Sequence, residues 1–212
     1  MARIAVIGGT GYAGSNIVAE AVSRGHSVIS IARSIAAERV EGAVYLEGNI
    51  LDAPSLLEQI DEADVVIQAL SPRGDMAGKV RPATAELFAA LRDEVRLGVV
   101  GGAGGSLVAP DGPRVVDADF PEEFKDEAME AVGVLEDLRK SPENKDWFFV
   151  HPAAGFGIWA PGERTGTYRD GGQVMVADAA GESYISGRDL GVAFVDEIEN
   201  PRHRRENFAV GY

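Results

Sequence analysis

The chain has 212 residues, with 34 Asp and Glu against 20 Lys and Arg, a formal net charge of −14, 45% hydrophobic residues and no cysteine. That charge repels nucleic acid and anionic lipid, and the missing cysteines exclude disulfides, thiolate metal sites and a cysteine nucleophile. The length suits one α/β domain spanning residues 1–212, monomeric or homodimeric, with the cytoplasm as the expected location.

The apolar run Ile4-Ala5-Val6-Ile7 is too short for a signal-peptide core or a membrane span and reads as a buried strand. Up to about residue 102, short apolar runs alternate with helical patterns, which is the signature of a parallel sheet with crossover helices. The strands are expected at 3–8, 27–32, 43–47, 64–70 and 96–101. Ile17, Val18, Ala21 and Val22 share one helical face between the first two, with Gly25 at the helix C-terminus. Asp52 is placed to cap the helix that starts Ala53-Pro54, and Thr84, Leu87, Phe88 and Leu91 mark a further amphipathic helix. A glycine- and proline-rich loop follows residue 102, then a helix at 122–140 and the strand Trp147-Phe148-Phe149-Val150. Residues 153–180 hold many glycines and no helical period, so they form a loop region on the substrate side. Ser186 and Asp189 form a capping pair for a helix carrying Leu190, Phe194, Val195 and Ile198, which Pro201 ends. The tail Phe208-Ala209-Val210 can close the sheet edge as a seventh strand. The implied architecture is a Rossmann-like, doubly wound, mostly parallel sheet of order 3-2-1-4-5-6 with helices on both faces.

The first strand runs straight into Gly8-Gly9-Thr10-Gly11-Tyr12-Ala13-Gly14, a strand-to-helix turn where absent side chains let backbone N–H groups approach a pyrophosphate. A mononucleotide P-loop shares the spacing of Gly9 and Gly14 but requires Lys next, where Ser15 stands. The reading is therefore a dinucleotide turn using Gly8, Thr10, Gly11, Tyr12, Ala13 and Gly14. NAD binders place a carboxylate at the end of the second strand to hold the adenine ribose hydroxyls, yet no acid occurs between residues 21 and 37. Arg33 and Ser34 occupy that place, a guanidinium and a hydroxyl suited to a 2′-phosphate, which favours NADP over NAD. A solvated strand-end arginine is the competing reading of Arg33. Asn49 and Ile50 after the third strand, Ala69 and Leu70 after the fourth and Gly102 after the fifth complete the expected cofactor walls.

Gly-x-Thr-Gly-x-x-Gly at the N-terminus, Val-Val-Gly-Gly-Ala-Gly at 99–104, Asp146-Trp147, Gly162-Glu163-Arg164-Thr165-Gly166 and Ser183-x-Ile185-Ser186 together resemble one known group. They are similar, in order and over nearly the whole chain, to the atypical short-chain dehydrogenases/reductases with an NAD(P)H-binding NmrA-like or flavin-reductase-like domain. Members of that group include NADH-flavin reductases and the biliverdin reductase B-like branch. The resemblance implies a Rossmann fold and a nicotinamide cofactor, and it leaves the substrate open.

Ordinary short-chain dehydrogenases protonate substrate with a Tyr whose pKa is lowered by a Lys four residues on. The tyrosines at 12, 45, 168, 184 and 212 are followed at that spacing by Asn16, Asn49, Gly172 and Arg188, with nothing after the last. Without that dyad, a flavin, quinone or similar planar acceptor fits best, because hydride transfer to it needs chiefly proximity and stacking while solvent supplies protons.

In the related branch a serine after the fifth strand and a histidine after the sixth lie near the nicotinamide. Ser106 sits one glycine further along than that pattern, and His151 precedes Pro152 whereas the branch's histidine follows its proline, so the matching position is closer to Ala154. Both are catalytic candidates, with a structural strand-end role as the alternative for His151. Phe156, Trp159 and Tyr168 can stack on a ring or serve as packing anchors, and Arg164 can meet a substrate anion or a surface carboxylate. No metal-ligand spacing links His26, His151 and His203, and no serine sits in a nucleophile elbow. The expectation is an NADP(H)-binding oxidoreductase that reduces a small planar acceptor, with an NmrA-type redox sensor that turns nothing over as the alternative.

Overall fold

The computed structural model describes residues 1–35 and 37–212. Its strands are β1 (Arg3–Ile7), β2 (Ser27–Ala32), β3 (Ala43–Glu47), β4 (Val65–Gln68), β5 (Arg96–Val100), β6 (Trp147–Pro152), β7 (Arg169–Asp170) and β8 (Glu206–Gly211). The helices are α1 (Tyr12–Ser23), α2 (Ala53–Gln59), α3 (Val80–Ala90), α4 (Lys125–Arg139) and α5 (Gly187–Glu199). All strands lie in one sheet of order β3-β2-β1-β4-β5-β6-β8-β7. The expected order 3-2-1-4-5-6 is its body. The tail forms the seventh strand, β8, parallel to β6 (Val150 opposite Phe208), and the two-residue β7 adds an antiparallel edge.

The central strands are apolar through their middles because both faces are covered, with Arg3, Gln68 and Arg96 only at strand ends. Ala5, Ile7, Val66, Leu97, Val99, Trp147 and Phe149 face α2, α3 and α4, while Ile4, Val6, Ile67, Phe148 and Val150 face α1 and α5. The expected caps form: Asp52 accepts from the Ser55 N–H, and Ser186 Oγ accepts from the Asp189 N–H at 3.0 Å. The reciprocal half of the second pair does not. The Ser186 N–H donates to the Tyr212 hydroxyl, and the Asp189 carboxylate turns toward residues 165 and 166.

The amino-terminal edge of the sheet is tied by a buried ionic cluster. Arg96 on β5 donates to the Glu197 carboxylate (2.6 Å) and carbonyl (2.9 Å) and to the His203 carbonyl (2.8 Å). His203 Nδ1 meets Glu197 at 2.8 Å and Nε2 meets Asp170 at 3.2 Å, while the imidazole stacks on Phe208. Burial opposes both charges, but the mutual hydrogen bonds prevail, so Glu197 is held at about 2 and His203 is raised to about 9. A raised histidine stabilises the fold fully below its unfolded pKa of about 6.5, and that contribution is lost as pH climbs through about 9. Thermal unfolding followed from pH 6 to 9.5 should show Tm falling across this window, and His203→Gln should flatten the slope. Glu197→Ala should cost about 3–5 kcal/mol, since it removes the buried carboxylate shared by Arg96 and His203. An unchanged Tm in either experiment contradicts this account of the cluster.

Candidate functional site

The carboxyl ends of β1, β2, β4 and β5 define the cleft in this topology. At its centre the backbone is folded back tightly. Gly8 takes φ +83, the N–H groups of Gly8 and Gly9 donate to the Ile31 carbonyl at 2.8 and 3.2 Å, and the Gly11 N–H donates to the Gly8 carbonyl at 2.9 Å. A Cβ at Gly8 would lie 2.6 Å from the Ala69 oxygen, one at Gly9 2.3 Å from Ser30 Oγ, and one at Gly14 2.2 Å from the Gly8 oxygen. Glycine is therefore obligatory at three points of the turn, and α1 is seated directly on it. Gly11 caps α1 with no side-chain bond among the described residues, and the first turn carries no acid. Its leading N–H groups have no intrahelical acceptor, and with the helix dipole they suit an anion. The turn thus fits the pyrophosphate of a dinucleotide.

Around this cradle, Ala69 and Leu70 press on Gly8 from β4, and the Leu70 N–H donates to Gln68 Oε1 (3.0 Å). Gln68 is buried and anchors itself to Thr84 Oγ1 (2.9 Å), a support that the sequence analysis did not pick out. Asn49 is exposed with its side chain accepting from the Leu51 N–H, whereas Ile50 is buried in the core and offers the cleft no side chain. Arg33 and Ser34 are exposed at the end of β2, and the Arg33 guanidinium is paired with Asp75. Gly102, after β5, has open space where its Cβ would be.

The two catalytic candidates are not poised for chemistry. His151 is 1% exposed; its Nδ1–H donates to the Gly102 carbonyl (2.8 Å) and its Nε2 accepts from Asn207 (3.1 Å), whose Oδ1 is held by Arg139. Burial lowers its pKa to about 4, so it is neutral and both nitrogens are engaged internally. In this structure His151 ties the loop after β5 to β8. Ser106 is wholly buried, and its hydroxyl has no partner among the described residues.

The substrate-side candidates separate into two groups. Phe156 packs on Tyr12 with ring centroids 5.3 Å apart, and Trp159 is 69% exposed beside the exposed Ile158. The Tyr12 hydroxyl accepts from the Gly187 N–H (3.1 Å) and donates to the Pro161 carbonyl (3.3 Å), which fastens this loop at the start of α1. Arg164 and Tyr168 lie elsewhere. Arg164 forms a two-pronged pair with the buried Glu20 of α1 (3.0 and 2.9 Å), so its partner is internal. Tyr168 is packed on the α1/α5 side and interacts with Asp196, and burial raises its pKa to about 12. Asp196 lies nine residues beyond Gly187, about 13 Å along α5 from the end that meets Tyr12. Both act as packing anchors of the 153–180 region. A carboxylate that the sequence analysis read only as a cap, Asp189, organises that region: it accepts from the Thr165 N–H and Oγ1, the Gly166 N–H and the Tyr212 hydroxyl.

A family model described as NAD(P)H-binding matches residues 8–201. The chain belongs to this family. It is 34% identical over 212 residues to the uncharacterized protein YwnB of Bacillus subtilis (strain 168), covering 98% of this chain and 97% of that one. Two solved structures with names marked putative are also similar. One is an exported protein from Burkholderia pseudomallei (36% identity, TM-score 0.87, full coverage of both chains). The other is an NADH-flavin reductase from Streptococcus pneumoniae TIGR4 (32% identity, TM-score 0.84, covering 100% of this chain and 99% of that one). The resemblance to atypical short-chain dehydrogenases/reductases holds. This is an NAD(P)H-binding oxidoreductase family with a Rossmann-like fold, and no helix among the described residues is long and apolar enough to cross a membrane.

In this family member the inward engagement of His151 has a direct readout. Histidine NMR should show the His151 ring uncharged, with hydrogen on Nδ1, down to about pH 4, and His151→Ala should destabilise the fold by about 1–3 kcal/mol by orphaning buried partners. A midpoint near 6.5 would return the residue to the acid/base candidates.

Proposed function

We propose that the chain is an NADPH-dependent reductase that delivers hydride to a flavin, quinone or similar planar acceptor bound against Phe156 and Trp159. The observation that carries this reading is the pairing of an uncapped, acid-free α1 N-terminus at Gly11 with a guanidinium, Arg33, where NAD binders keep a carboxylate. In a chain of net charge −14, the stretch 21–37 carries no acid, which leaves the end of β2 without the carboxylate that would repel a phosphorylated adenosine.

When bound, the nicotinamide supplies a hydride, two electrons and one proton, and solvent provides the second proton that the reduced acceptor takes up. The residues do the rest. The turn at 8–14 holds the pyrophosphate, Arg33 and Ser34 meet the 2′-phosphate, and Ala69, Leu70 and Gly102 line the path to the reacting ring. Phe156 and Trp159 offer it a stacking partner. The absence of a Tyr-x-x-x-Lys pair and the buried state of Ser106 and His151 agree with a reaction in which no side chain delivers a proton. The name of the S. pneumoniae relative supports the same acceptor class.

The burial of Ser106 and His151 equally favours a second reading, an NADP-binding redox sensor that turns nothing over. NADPH oxidation with riboflavin, FMN and quinones, run beside calorimetric titration of the cofactor, separates the two. The reductase reading expects turnover with at least one acceptor, and tight binding with no turnover across the set selects the sensor. Arg33→Asp should weaken NADPH about tenfold while sparing NADH, as expected for losing one charge-assisted contact. An unchanged NADPH preference removes the NADP assignment.

A further inference from the structure

Arg33 is not free in this structure. Its guanidinium is paired with Asp75, and the position of that pair is informative. In the order β3-β2-β1-β4, Arg33 directly follows β2, Asp75 lies in the helical turn Gly74–Met76 beyond β4, and β1 with its glycine turn runs between them. The pair therefore links the segments that follow β2 and β4, the two strands flanking β1 and its glycine turn.

The two arms differ in stiffness. The segment carrying Asp75 is braced against α4: Arg73 and Ser71 bind Glu127, and the N–H groups of Gly78 and Arg81 donate to Glu130 at 2.5 and 3.0 Å. Arg33 has a long side chain that is more than half exposed on a strand end. The carboxylate is thus the fixed partner and the guanidinium the one that swings. A carboxylate and a phosphate monoester both present two oxygens to the guanidinium fork, so they compete for the same donors.

We propose that Asp75 is a built-in substitute for the 2′-phosphate: it holds Arg33 in its absence, yields Arg33 to it, and so sets how strongly the protein prefers phosphorylated over unphosphorylated adenosine cofactors. This rests on the reading that Arg33 meets the 2′-phosphate. With Asp75 in place, NADPH exchanges one ion pair for another and gains only the difference, whereas NADH binds with the Arg33–Asp75 pair intact. Asp75 therefore narrows the discrimination that Arg33 alone would impose and leaves the protein open to both cofactors.

The test uses the full chain and two probes that cannot react, adenosine 2′,5′-bisphosphate and 5′-AMP, titrated calorimetrically at one fixed ionic strength. Asp75 is exposed, so Asp75→Ala should fold normally. It is expected to tighten the bisphosphate about two- to fivefold, the value of one exposed ion pair, and to leave 5′-AMP unchanged. In an Arg33→Ala background the same change should do nothing, because Asp75 acts only through Arg33. If Arg33→Ala weakens the bisphosphate but Asp75→Ala leaves it unchanged, the role of Asp75 falls while the NADP reading stands. Equal tightening of both probes, or tightening that survives without Arg33, identifies a diffuse charge effect and also overturns it. If Arg33→Ala leaves the bisphosphate unaffected, the NADP reading and this inference fall together.

Discussion

Everything near the cleft depends on one close approach, the backbone of Gly14 in α1 against the carbonyl of Gly8 at the end of β1. A side chain there would meet that oxygen at 2.2 Å, so the helix can sit over the turn only while position 14 is bare. The contact fixes α1, and α1 in turn fixes α5, because Gly187 and Gly191 leave no room for a Cβ against Asn16. From α5 the constraint passes to the loop region through Asp189, which is wholly buried and accepts bonds from Thr165, Gly166 and Tyr212. A chain of close contacts thus carries the geometry from the glycine turn to the 153–180 region.

At the amino-terminal ends of the strands, Arg96, Glu197, His203, Asp146 and Asp170 form one ionic cluster, in which Arg96 Nε and Asp146 Oδ1 are left without a hydrogen bond among the described residues. Groups at the carboxyl ends are also left partly unmatched. The α1 N-terminus is uncapped, and Ser30 and Ser106 carry buried hydroxyls without partners among the described residues. What distinguishes the carboxyl side is the free helix N-terminus, whose donors a bound anion can satisfy. Several acids hold arginines, Glu20 and Glu197 from buried positions and Glu127 and Asp137 nearer the surface.

Elements whose cause is local were legible in the sequence. Ile4 to Ile7 and Trp147 to Val150 announce strands because a strand covered on both faces must be apolar throughout, and Gly8 to Gly14 announces its turn because the backbone there excludes side chains. What was not legible depends on partners distant in the chain. His151 resembles a poised base until Asn207, 56 residues on, is seen to occupy its second nitrogen. Arg164 resembles an anion hook until Glu20, 144 residues earlier, is found beneath it. Tyr168 resembles a stacking platform until Asp196 and the α1/α5 face are seen to enclose it. The parallel setting of β8 beside β6, and the short β7 edge, likewise depend on where the 153–180 region travels.

The Asp189 clasp also separates the shape of the 153–180 region from its exposed side chains. Its four bonds reach Thr165, Gly166 and Tyr212, and none involves Phe156, Ile158 or Trp159. The frame of the loop is therefore held from behind, with Phe156 packed on Tyr12 and only Ile158 and Trp159 facing outward. Such an arrangement lets the exposed residues 158 and 159 change while the frame of the loop stays in place.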